Sequence, residues 1–403
     1  MNDRLPLQKP KSVKKMKIIY CTDTLWHHGG IQKVTIAKAN ALAEIEGNEV
    51  WIAVTEQPVH EPVIKVSDKV HVENLGVNYY EDDWKSRWSL LKGIVFKRRT
   101  HRRRLKALLE AVGPDVVIST GTSEKYFLPL LRTAAGGAYI REIHFPKNFR
   151  HFGTKDLLSR LSTYVSDYWD YHVCCARYDK VVILTQEDKE RNWSHAANVS
   201  VIPNPIIGGT WGRAPLDAHT AIAAGRLVQQ KNFASLVRAW ESVHRRYSDW
   251  RLEIWGDGCM KDDLQEQIDR NDLADTVRLM GYTQDLSSML SAASVFVLTS
   301  MYEGFGMVIL EAMQAGLPVV SYACPCGPMD LISDGVDGYL VPQGDETMLS
   351  ERICELIENE ALRKKMGAAA QENAREYAIE SIIRQWMDLF HQVSGEIEAR
   401  HRN

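Results

Sequence analysis

One pattern constrains this chain more than any other: short β-rich runs alternating with helical stretches, once before and once after Val201-Ile202-Pro203-Asn204-Pro205. Strands that alternate with helices pair in parallel, because each crossover helix returns the chain to the same end of the sheet. The first strand is predicted over 17–21, followed by Gly29-Gly30 and an apolar-periodic stretch over 31–42. Further strands are predicted over 49–55, 115–120, 138–143 and 180–184. The two prolines bar a central strand from continuing through 201–205, and 206–220 lacks periodicity, so the linker is placed there. A second alternation follows: strands over 221–227, 251–255, 277–280, 295–298 and 319–323, with helices over 232–247 and 261–268. Residues 346–396 read as helical with no strand signal. With 403 residues the chain is too long for one ordinary core and suits two α/β domains.

Composition excludes several classes. There are 49 Lys and Arg against 52 Asp and Glu, so no global charge draws the chain to nucleic acid. No apolar run is long enough to span a bilayer. Residues 1–15 are polar and basic without the apolar region of a signal peptide, and read as a disordered tail ahead of Met16. Seven cysteines without zinc-like spacing argue for a reducing, cytoplasmic compartment. Cys324-Pro325-Cys326 has no second cluster of ligands to complete a metal site.

Ligands of open parallel sheets sit beyond the C-terminal ends of the strands. In the second half those ends gather Gly225-Arg226 with Lys231, Gly256-Asp257-Gly258, and Glu303-Gly304-Phe305-Gly306. Arg226 supplies a planar fork and Lys231 a point charge, a pair suited to a diphosphate; the alternative is two surface cations near a helix start. Gly304 and Gly306 allow backbone to approach a ligand, and the helix beginning at Met307 offers N–H groups to an anion. Glu303 and Glu311 invite a glycosidase reading. If both lay on one helix, eight residues would separate them by roughly 12 Å and about 80° around the axis. A retaining hydrolase needs about 5–5.5 Å and an inverting one about 6.5–9.5 Å. The pair suits two ends of an extended ligand instead, with helix capping as the alternative for Glu303.

These residues carry a resemblance. Glu303 to Glu311 has the Glu-x7-Glu pattern of the retaining GT-B glycosyltransferases of family GT4. The chain is similar to that family from Met16 onward, through Gly29-Gly30-Ile31-Gln32, Ile202-Pro203-Asn204-Pro205, Gly225-Arg226-Leu227 with Lys231-Asn232, Gly256-Asp257-Gly258, Gly316-Leu317-Pro318-Val319-Val320 and Asp334-Gly335-Val336-Asp337-Gly338. It implies a GT-B fold: two Rossmann-like doubly wound α/β domains facing a cleft, with a helical C-terminal tail returning to the first. The expected division is 16–206 for the acceptor, 207–380 for the nucleotide-sugar donor, and a tail over 381–403. Arg226 and Lys231 would bind the donor diphosphate without a metal or other cofactor. Glu311 would hold the ribose, Glu303 the sugar hydroxyls, backbone near Gly281-Tyr282 the nucleobase, and the Gly29-Gly30 loop the diphosphate from the first domain. His144, in Glu142-Ile143-His144-Phe145-Pro146, stands where such enzymes carry a histidine near the transferred sugar; the alternative is a structural histidine. The implied reaction is hexosyl transfer from a nucleotide diphosphate sugar, a UDP-sugar, to a saccharide or lipid-linked acceptor in surface polysaccharide synthesis. An epimerase-like enzyme and a non-catalytic nucleotide-sugar-binding protein are the competing readings.

Between Trp84 and Leu109 lie ten Lys or Arg and no acid, interleaved with Trp88 and aliphatic residues. With Arg98, Arg99, Arg102 and Arg103 at its centre, the stretch suits a helix on anionic lipid at the inner face of the membrane. Nucleic acid and a solvated helix face are the alternatives.

Overall fold

The computed structural model describes residues 15–26, 29–82, 87–132, 136–147, 157–208 and 212–402; the proposed tail over 1–15 lies almost wholly outside them. The first sheet holds seven strands: β1 Lys17–Thr22, β2 Glu49–Val54, β3 Val70–Asn74, β4 Val116–Ser119, β5 Ala138–Glu142, β6 Lys180–Ile183 and β7 Val199–Val201, in the order β3-β2-β1-β4-β5-β6-β7. The second holds six: β8 Thr220–Ala224, β9 Arg251–Trp255, β10 Val277–Gly281, β11 Val295–Leu298, β12 Val319–Tyr322 and β13 Gly338–Val341, in the order β10-β9-β8-β11-β12-β13. Every pairing in the second sheet is parallel. All the strands expected from sequence are present, and β3, β7 and β13 are additional. β7 stops at Val201, just ahead of the two prolines, and is an edge strand, where a missing N–H costs least.

Burial in the second sheet alternates with the period of a strand. Ala221, Ala223, Leu252, Ile254, Val295 and Val297 enter one apolar cluster, while Ile222, Ala224, Phe296 and Leu298 enter the other. The first cluster is covered by α5 Phe233–Arg246, α6 Lys261–Arg270 and α10 Glu346–Glu358, with Trp240 fully buried at its centre. The opposite face is covered by α8 Met307–Gln314 and α11 Glu360–Ala374. Helices on both faces make this a doubly wound domain. In the first half, α1 Gly30–Glu44 follows β1, α2 Arg87–Val112 precedes β4, α3 Leu157–Tyr168 precedes β6 and α4 Gln186–Asn192 follows it. The last helix, α12 Ile379–Arg402, confirms the helical tail.

By packing, the chain divides into one unit of residues 1–141, 177–179 and 387–403, and a second of 142–176 and 180–386. The division falls within α12, so the end of that helix returns to the first unit, where Asn48 Nδ2 meets Met387 Sδ at 3.9 Å. No helix among the described residues is long and apolar enough to cross a membrane.

Candidate functional site

The second sheet reverses its strand order between β8 and β11, the kind of point at which open α/β sheets take their ligands. Along this edge β8, β9 and β10 end at Gly225, Gly256 and Gly281. Gly225 N–H donates to the Trp255 carbonyl at 2.9 Å and Gly256 N–H to the Gly281 carbonyl at 2.8 Å. The strand ends pack backbone on backbone: a Cβ on Gly256, whose φ is +144°, would fall 1.9 Å from the Gly225 carbonyl oxygen. Only glycine fits. Asp257 is exposed and its Oδ1 accepts the Gly258 N–H at 2.8 Å, so this carboxylate shapes its own turn.

Beyond β8, Arg226 is exposed and Lys231 is half-buried in a 3-10 turn over Gln229–Lys231. That turn is stitched to the loop after β11. Met301 N–H donates to the Gln230 carbonyl at 2.7 Å, Gln230 Nε2 to the Tyr302 carbonyl at 2.9 Å, and Thr299 Oγ1 to the Lys231 carbonyl at 3.1 Å. This framework aims Lys231 Nζ at Glu303 Oε1, 2.6 Å away, where Ser300 Oγ also donates at 2.5 Å. Both side chains are largely buried, so the surface-cation alternative does not describe Lys231.

Glu303 is not helical. It lies in the loop between β11 and α8, and α8 is capped by Gly306 at φ +90°, with no side chain bonded to its first turn. Glu303 therefore lies ahead of the helix, as the expected helix start at Met307 implied, and the separation of roughly 12 Å that a shared helix would give does not apply. Helix capping is excluded for Glu303 as well. Glu311 stands half-buried on α8 between the fully buried Leu310 and Ala312. Gly304 is pressed against another segment: a Cβ there would lie 2.4 Å from the His144 carbonyl oxygen. His144 follows β5, is 7% exposed, and its Nε2 lies 3.4 Å from Glu142 Oε1. Phe305 is buried and Tyr282 is exposed just past β10.

Sequence reasoning missed a second framework beneath this loop. Glu303 N–H donates to the Pro325 carbonyl at 3.0 Å, and a Cβ on Gly327 would strike the Phe305 carbonyl at 2.2 Å. Glu187 Oε2 accepts the Cys326 N–H at 2.9 Å, and Asp330 Oδ1 accepts the Gln186 N–H at 2.6 Å at the start of α4. Burial raises both of these carboxyls above their ordinary range. The Cys326-Gly327-Pro328 turn was legible as a turn, but nothing local marks Glu187, which lies 139 residues away. Burial also pushes the Cys324 and Cys326 thiols up. Among the described residues no group of three or more potential metal ligands gathers.

Other expected residues lie elsewhere. Gly29 and Gly30 belong to the first unit, where Gly29 opens α1 without a side-chain cap. Trp84 and the Trp88 side chain lie outside the described residues. Arg98, Arg99, Arg102 and Arg103 are all exposed on α2, while Arg104 is spent on the Leu75 and Gly76 carbonyls. An exposed apolar stripe, not anticipated from sequence, runs along α3 through Leu157, Leu161, Tyr164, Val165 and Tyr168.

Two Rossmann-like parallel sheets closed by a long C-terminal helix define the GT-B fold. A crystal structure of Staphylococcus aureus TarM in complex with UDP superposes with a TM-score of 0.72 at 18% identity, over 93% of this chain and all of that one. Residues 212–373 match the family described as "Glycosyl transferases group 1". The exopolysaccharide phosphotransferase of Streptomyces coelicolor is 30% identical over 347 residues, covering 83% of this chain and 34% of that one. The amylovoran biosynthesis glycosyltransferase of Erwinia amylovora is 33% identical over 228 residues, covering 54% of this chain and 63% of that one. The chain thus spans about a third and just under two thirds of these two relatives.

Proposed function

We propose that this protein is a retaining hexosyltransferase that moves a sugar from a UDP-sugar to a saccharide or lipid-linked acceptor in bacterial surface polysaccharide synthesis. The observation that carries the reading is the Lys231–Glu303 pair at the switch point of the second sheet, beside exposed Arg226 and the uncapped start of α8. A cation and a carboxylate held side by side suit the two halves of a nucleotide sugar. Lys231 and Arg226 meet the diphosphate, Glu303 accepts from sugar hydroxyls, Glu311 from the ribose, and backbone at Gly281-Tyr282 borders the base. Residues 207–380 form the donor domain in this reading, and 16–206 the acceptor domain.

As the bond between the anomeric carbon and the diphosphate oxygen breaks, its electron pair passes to the diphosphate. Arg226, Lys231 and the N–H groups of α8 stabilise that growing charge, because they are oriented before the reaction begins. The acceptor hydroxyl attacks on the same face and its proton passes to the departing phosphate oxygen, so configuration is retained. His144 stands beside the transferred sugar through its contact with the Gly304 backbone.

The names of the relatives support the polysaccharide setting, and the UDP held by TarM supports the nucleotide. An epimerase-like enzyme needs further acid and base groups around the same pocket, and a mere binding protein needs no catalytic pair. An assay of nucleoside diphosphate release with a panel of sugar nucleotides, run with and without acceptor extract, tests the reading. Release that depends on acceptor supports it; activity that is lost in EDTA and restored by manganese overturns the metal-independent clamp.

A further inference from the structure

The first sheet also reverses its order, between β1 and β4, and its strand ends gather side chains that the donor site does not use. We propose that this edge is a second ligand site, which takes a neutral polyhydroxylated ring, a saccharide, through the paired carboxyl groups of Asp23 and Glu124. Assigning that saccharide to the acceptor rests on the transferase reading; the site itself does not.

Asp23 follows β1, and Glu124 lies in the turn after β4. Asp23 Oδ2 accepts from Thr122 N–H at 3.1 Å and from Thr122 Oγ1 at 2.9 Å, while its Oδ1 accepts from Ser123 Oγ at 2.9 Å. Glu124 is 1% exposed. Its Oε1 accepts from Ser119 Oγ at 2.7 Å and from Gly121 N–H at 3.1 Å. Its Oε2 is buried and has no hydrogen-bond partner. A Cβ on Gly121 would sit 2.6 Å from that orphaned oxygen and 3.1 Å from Asp23 Oδ1, so the two carboxyls converge on one point.

Leaving a buried carboxyl oxygen without a partner is destabilising. Here the surroundings enforce the arrangement: buried Arg141 donates to Ser119 Oγ at 2.6 Å and to the Gly121 carbonyl at 2.5 Å, fixing both groups that hold Glu124. A ring hydroxyl donating to Oε2 supplies the missing partner, and a neighbouring hydroxyl reaches Asp23. Neighbouring hydroxyls of a sugar have that chemistry. A phosphate or carboxylate brings only acceptors and like charge, and is rejected.

Saturation-transfer NMR on the full chain at about pH 8 tests the assignment, with methyl α-glucoside, methyl α-galactoside and methyl N-acetylglucosaminide as probes and methyl phosphate as the anionic control. At least one glycoside is expected to give a signal that falls fivefold or more in Glu124→Gln and Asp23→Asn. The signal should survive Glu303→Gln, which separates this site from the donor's sugar pocket. Calorimetric UDP affinity is expected to stay within twofold in Glu124→Gln and Asp23→Asn, and thermal melts verify that each variant is folded. No glycoside signal in the parent, an equal signal in both carboxyl variants, or displacement of the glycoside by methyl phosphate each overturns the proposal. Absence of UDP binding in the parent sinks the donor reading instead, and leaves the glycoside result to decide this site.

Discussion

At the end of β8 the chain places Arg226 and Lys231, and across that switch point the β11 loop delivers Glu303 onto Lys231. At the end of β1 it places Asp23, and across the equivalent switch point the β4 turn brings Glu124 towards the same charge. The topological position is the same in both sheets, but the electrostatics are opposite. In the second sheet, unlike charges compensate and Arg226 remains exposed. In the first, burial and then the Asp23 charge raise the Glu124 carboxyl, Arg141 and hydrogen bonds offset only part of this, and the net result is about 7. Strand order decides where a site forms in each sheet; the charges on the loops decide which ligand chemistry it admits.

Breaking the Lys231–Glu303 pair is expected to have the largest effect. Lys231→Ala leaves a buried carboxylate without its cation and should cost about 3 kcal/mol or more in chemical denaturation. Adding Glu303→Gln should restore most of that stability without restoring UDP affinity. Equal stability of the parent and Lys231→Ala would show that the pair is not electrostatically coupled, and would remove half of the contrast between the sheets.

Glu124 gives a pH signature of the opposite kind. Its carboxyl titrates near 7 in the fold, against an ordinary value of 4.5. The folded state therefore retains a proton that the unfolded chain has already released. Below 4.5 both states are protonated and nothing is lost; stability falls as pH rises from 4.5 to 7 and stays lower above it. The penalty is roughly 3 kcal/mol. Glu124→Gln should abolish it, stabilising the protein at pH 8 and leaving it unchanged at pH 4. A parallel pH dependence in parent and variant, followed by denaturant midpoints, would contradict the assignment.

Smaller changes are expected from exposed cations. Arg226→Ala should weaken UDP binding about tenfold, or about 1.4 kcal/mol, with no change in melting temperature. Arg98, Arg99, Arg102 and Arg103 stand off the strand ends altogether. If α2 meets an anionic membrane, each change to Glu should cost about 1 kcal/mol of partition into anionic vesicles, and 1 M salt should mimic it by shortening the Debye length to about 3 Å. UDP affinity should be untouched. Loss of UDP binding in these variants would mean that the cations of α2, rather than Arg226, serve the nucleotide; equal binding to neutral and anionic vesicles would leave their charge without a role.

Much of this was legible in advance, for identifiable reasons. Runs such as Val295–Leu298 declare themselves because β-branched and aromatic residues at successive positions fit a pleated, buried surface. β3 did not, because four of its five residues are exposed and the apolar contrast is lost. β13 was hidden inside a glycine-rich motif. The residues proposed for the donor site drew notice because glycines and charges at strand ends stand out in any one segment. Glu187, Asp330 and Ser300 were missed because a carboxylate or hydroxyl that serves a distant backbone looks like any surface polar residue.

By itself the sequence determined two parallel α/β sheets, the break between them, the helical tail and the chemical types at the second sheet's edge. Each follows from periodicity and turn chemistry, which act between residues a few positions apart. Only the tertiary structure decided that Lys231 meets Glu303 across 72 residues, that Gly304 rests on His144, and that Asp23 and Glu124 converge over Gly121. Those contacts depend on strand order, which places β11 beside β8 and β4 beside β1. Strand order is set by burying both faces of a sheet at once, a condition on the whole domain that no local window of residues contains.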